Sequence, residues 1–71
     1  MNNYTVNIRS DNYGERYIDS FSSLQEAEQY IDYATQDENM KIVIESRFEN
    51  LHPYHMQNYL SEFNFNIEIN N

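Results

Sequence analysis

Carboxylates are the residues of this chain whose number and spacing could do chemistry. Twelve Asp and Glu stand against four Lys and Arg, for a formal net charge of −8. From Ile18 through Asn39 there is no Lys or Arg at all, so Asp19, Glu26, Glu28, Asp32, Asp37 and Glu38 have no local counter-ion. Such a field repels nucleic acid and anionic lipid and attracts basic partners, faster at low salt. Glu28 and Asp32, four apart on one helical face, cost an isolated helix about 0.2–0.5 kcal/mol. Asp37 and Glu38 follow the carboxyl end of that helix, where the macrodipole is already negative, while Glu26 in the first turn is well placed. Folding stability alone would not select this arrangement. Two readings stay open: a solvated surface kept for solubility, or an acidic face that docks into a basic groove. Neighbouring carboxylates on a helix are about 5–6 Å apart, close to the spacing of successive backbone phosphates.

Other chemistries have less to stand on. His52 and His55 sit three apart, with Glu49 and Glu62 nearby, and His with carboxylate suits zinc or nickel. Two histidines without a third convergent ligand are more simply two exposed residues at a helix start, so no metal and no cofactor is expected. Cysteine is absent and glycine occurs once, which removes a thiol nucleophile, a thiolate metal site and a glycine-rich phosphate loop. No G-x-S-x-G elbow activates a serine. A chain this short rarely walls a cleft that would shift the pKa of a carboxylate pair, so it does not read as an enzyme. The seven tyrosines combine a large ring with a hydrogen-bonding tip, a combination favoured at interfaces. Tyr4, Tyr17, Tyr30 and Tyr59 fit the rim of a small core, whereas Tyr33 and Tyr13 fit an interface better.

The elements that must position these residues follow from periodicity. With 71 residues there is room for one domain, residues 1–71, and one small core. The leading strand signal is Met40–Phe48, where Met40, Ile42, Ile44 and Phe48 alternate with Lys41, Val43, Glu45 and Arg47; it reads as the central strand. Asn3–Arg9 reads as the first strand, followed by a turn through Ser10–Gly14. Glu15–Phe21 reads as the second strand, though both of its faces carry something apolar and the pattern does not choose between them. Ser22 or Ser23 caps a helix whose inward stripe is Leu24, Ala27, Ile31 and Ala34, with Thr35–Asn39 as the closing loop. Pro53 opens a second, short helix to about Glu62, and Phe63–Ile69 alternates cleanly as the last strand. The order β-β-α-β-α-β gives an α+β fold, a small mostly antiparallel sheet with helices on one face. The start of the chain holds no apolar run of signal-peptide length and no stretch approaches a membrane span, and the absence of cysteine suits a reducing cytosol.

In overall character the sequence resembles the small acidic anti-defence proteins of phages and mobile elements, of the anti-CRISPR or anti-restriction DNA-mimic type. The likeness rests on SSLQEAEQYIDYATQDEN (residues 22–39) and the flanking Glu45, Glu49 and Glu62, not on an alignable motif. It implies a non-enzymatic inhibitor acting in a bacterial host cell. Such an inhibitor would occupy the nucleic-acid channel of a basic partner such as a CRISPR effector or restriction nuclease. Asp19, Glu26, Glu28, Asp32, Tyr33, Asp37, Glu38, Glu45 and Glu49 would then form the partner-binding surface, and Arg9, Arg16, Lys41 and Arg47, expected on strands, would confine it to the helix side. The competing expectation is a structural or assembly module, such as a homodimer paired through the edge Phe63–Ile69.

Overall fold

A computed structural model describes residues 3–70. The element order is β1 (Asn3–Ser10), β2 (Gly14–Phe21), α1 (Leu24–Ala34), α2 (Asp37–Arg47), α3 (Pro53–Gln57), α4 (Tyr59–Glu62) and β3 (Phe63–Asn70). The three strands form one antiparallel sheet in the order β2-β1-β3. This is the α+β architecture expected, with one change of substance. The central strand is β1, and the segment expected to hold that place is a helix.

The reason lies in which residues of Met40–Phe48 are buried. Met40, Ile44 and Phe48 are in the core, whereas Ile42, which a strand would place on the same face, is 64% exposed. Residues 40, 44 and 48 satisfy a repeat of four as well as a repeat of two, and only Ile42 tells them apart. The charges support the helix. Asp37 and Glu38 lie in the first turn of α2 and Arg47 in the last, so each opposes the helix-end charge it meets. The two acids therefore do not trail unfavourably behind α1; they open the next helix. Lys41 and Arg47 accordingly sit on α2, and only Arg9 and Arg16 are on strands.

The first hairpin forms as its sequence suggests. Gly14 takes φ +86°, a value that costs glycine little, and the Ser10 hydroxyl accepts from the N–H groups of Asn12 and Tyr13. Strand β2 then carries a bulge. Val6 pairs with Asp19 but Asn7 pairs with Tyr17, so Ile18 is the extra residue. The bulge resolves the mixed pattern of this strand: it lets Ile18 and Phe21 both turn toward the helices, which strict alternation forbids.

Ser23 caps α1, its hydroxyl accepting from the Glu26 N–H at 3.1 Å. The Glu26 carboxylate takes the Ser22 hydroxyl instead of closing the capping box. The expected helix Pro53–Glu62 is divided at Asn58, which leaves helical geometry at φ −112°, ψ 28°. Val6, Ile8, Ile18, Ala27, Met40, Ile44, Phe48, Tyr59 and Phe63 make the core between the sheet and the helices. The opposite sheet face is polar, pairing Thr5 with Glu68, Asn7 with Asn66 and Arg9 with Asn64.

Candidate functional site

The acidic residues singled out from the sequence are all exposed, but they do not form one face. On α1 the buried line runs through Ala27 and Ala34. Tyr30 borders it toward β2, its ring 5.4 Å from that of Phe21. Glu28 and Asp32 border it on the other side, toward β3, where with Ile31 and Ile67 they line an open hollow of about 490 Å³. Glu26 lies back toward the Ser22 turn. Tyr33 is 59% exposed on the outer surface of α1, as an interface residue would be. Asp37 and Glu38 continue the acidic surface onto α2, where Glu38, Ile42 and Glu45 share the outward stripe by their spacing of four and three. Asp19 is apart from these, on the bulged strand, its carboxylate accepting from the Ser20 N–H at 2.8 Å. Glu49 falls beyond the far end of α2, whose eleven residues rise about 16 Å.

What makes the helical acids electrostatically unusual is where the cations went. Arg9 pairs with Asp11 at 3.9 Å. Arg16 lies over the Phe48 ring at 5.0 Å and Lys41 over the Tyr59 ring at 5.7 Å, contacts that suit a cation on an aromatic face. Arg47 donates to the backbone carbonyls of Tyr17 at 3.2 Å and Ile18 at 3.3 Å. Among the described residues, no cation pairs with Asp19, Glu26, Glu28, Asp32, Asp37, Glu38, Glu45 or Glu49.

Arg47 also matters to the sheet. Its guanidinium occupies carbonyls at the β2 bulge, so that edge of the sheet is both distorted and partly satisfied. The other edge, β3, pairs with β1 alone and carries no Lys, Pro or bulge. Nothing in the sequence flagged Arg47 for this task. That Phe63–Ile69 is a strand was legible in its clean alternation, whereas the strand order that puts it at an edge was not.

The histidines belong to a separate cluster. His52 caps α3, its Nδ1 accepting from the Tyr54 N–H at 3.1 Å. His55 Nδ1 is 3.3 Å from Glu62 Oε2, within ion-pair reach but badly angled for a hydrogen bond. Glu62 accepts from the Asn12 amide and, at 3.1 Å, from the Ser10 hydroxyl. The Asn12 bond foremost, with the Ser10 bond and the nearby His55 ring, holds its carboxyl below the ordinary glutamate value against the opposing effect of burial. Tyr13, read from the sequence as an exposed turn-tip residue, is packed into this cluster. Its ring stacks on Phe63 at 6.2 Å and meets His55 edge-on at 5.3 Å, and its hydroxyl accepts from the His52 N–H. It ties the hairpin tip to the last helices. Among the described residues no group of three or more His, Cys, Asp or Glu is arranged to hold a metal ion, and no helix is long and apolar enough to cross a membrane. No family model, curated protein or solved structure matches the chain.

Proposed function

We propose that this protein is a non-enzymatic inhibitor whose acidic helical layer occupies the nucleic-acid-binding groove of a basic bacterial partner, such as a CRISPR effector or a restriction nuclease, in the cytoplasm. One observation carries the reading: Glu28, Asp32, Asp37, Glu38 and Glu45 are exposed on α1 and α2 and none is paired with a cation among the described residues, the two cations of α2 being turned to the Tyr59 ring (Lys41) and to β2 carbonyls (Arg47). Stability does not require that division of charge, and a positively charged groove would be attracted to it over a Debye length of about 8 Å at physiological ionic strength. Tyr33 supplies an exposed ring beside the acids.

The test is capture of partners from a bacterial lysate at low and high salt, with the parent chain and with Glu28→Lys/Asp32→Lys. Retention of a basic nucleic-acid-binding protein that is lost at high salt, competed by DNA and abolished in the double variant is the expected result. Capture that is indifferent to all three overturns the proposal. A second reading, self-assembly through β3, is favoured by the bare edge of that strand. It predicts a concentration-dependent dimer by sedimentation; a monomer at high concentration removes it.

A further inference from the structure

The two edges of the sheet are finished differently. At β2 the bulge at Ile18 breaks the regular ladder and Arg47 takes two carbonyls. At β3, eight residues of alternating pattern end in no such device, and the described residues place nothing beside it. Beside this free edge, α1 packs over β1 and β2 and leaves the inner face of β3 progressively uncovered. Phe63 is buried, Phe65 and Ile67 are half-buried, and Ile69 is 59% exposed. The hollow lined by Ile31 and Ile67 lies in the resulting gap, rimmed by Glu28 and Asp32.

We propose that the β3 edge and this hollow bind an extended basic segment of the partner as a fourth strand. The inference rests on the reading of the protein as a binder of basic partners, and it names the part of the partner that docks. Free N–H and C=O groups along β3 supply the main-chain bonds of strand addition. The occupant is set by charge. The Cβ atoms of Glu28 and Asp32, four apart on the helix, are separated by about 5–6 Å, and alternate residues of an extended chain by about 6.6 Å. Lys or Arg at every second position can therefore lay its aliphatic stem on Ile31 and Ile67 and carry its charge to the rim. A second copy of this chain fits less well. Neither α1 nor β3 contains a Lys or Arg, so pairing β3 with β3 about a twofold axis would set acid against acid.

The experiment uses the full chain, isotopically labelled, and a synthetic peptide as long as β3 in which lysine and threonine alternate. A peptide of identical composition with its lysines in one block is the control. The alternating peptide should shift and protect the β3 amides and bind about tenfold more tightly than the block peptide. Ile69→Lys, which adds a guarding charge at an exposed edge position, and Glu28→Gln/Asp32→Gln should each weaken it about tenfold. Asp19→Asn/Glu49→Gln, exposed acids away from β3 and with the same change in net charge, should not. Equal binding of both peptides, with shifts on α1 and α2 and none in β3, overturns strand addition while leaving the acidic-face reading standing. Silence of every amide at millimolar peptide also overturns it, and the lysate capture then decides the acidic-face reading separately. Concentration-dependent β3 shifts without peptide would make a second copy the occupant and overturn it too.

Discussion

Glu62 draws on positions remote in the chain: it accepts from Ser10 and Asn12 of the first hairpin and lies within ion-pair reach of His55 from α3. Its carboxyl is held below the ordinary glutamate value, foremost by the Asn12 amide. The folded state therefore binds that proton less readily than the unfolded chain. The resulting stabilisation is complete above the unfolded value and is lost as pH falls through the folded one. Melting curves of the parent and of Glu62→Gln should accordingly be separated at neutral pH, with the parent more stable, and should converge in acid. A separation that stays constant across that range would mean the carboxylate charge plays no part. Many surface carboxylates also titrate there, so the difference between the curves, not either curve alone, carries the result.

Helix α2 makes the sharpest claim at the level of elements, and two isoleucines test it. Ile44 is fully buried and Ile42 is exposed, so Ile44→Ala should cost about 2–5 kcal/mol while Ile42→Ala should stay within about 0.5 kcal/mol. A strand would place both on one face and make the two losses similar, so equal costs in chemical denaturation would refute the helix. Three of the strands read from the sequence are present: the first and last alternate cleanly, and the second, mixed in pattern, returns from the turn that Gly14 makes. The fourth failed because Ile42-Val43-Ile44 has strong strand propensity and the buried set 40, 44, 48 fits both periods. Signals for a helix were nevertheless present, in Asp37-Glu38 at its start and Arg47 at its end. The bulge in β2 was visible only as an unresolved pattern, since one extra residue exchanges the faces and no residue type announces it. The acidic window was legible residue by residue, whereas its division between the β3 side of α1 and the outward side of α2 depended on where the second helix ran.

At the scale of the whole molecule, a net charge of −8 on 71 residues is a store of self-repulsion. The ion pairs among the described residues are Arg9 with Asp11 and His55 with Glu62, too few to offset it. Adding sodium chloride from low to physiological ionic strength should therefore raise the melting temperature, because screening weakens repulsion among the exposed acids more than it weakens two pairs. A melting temperature that falls with salt would mean attractive pairs dominate instead. The guarded edge at β2 has a consequence of its own. A sheet open at both sides is a repeating unit, able to pass growth from one copy to the next without limit. With Arg47 on two carbonyls and a bulge interrupting the ladder at β2, the molecule is left with one regular edge. A strand added at β3 would therefore meet a poorer template on the far side, so addition there would tend to end a sheet and not to extend one.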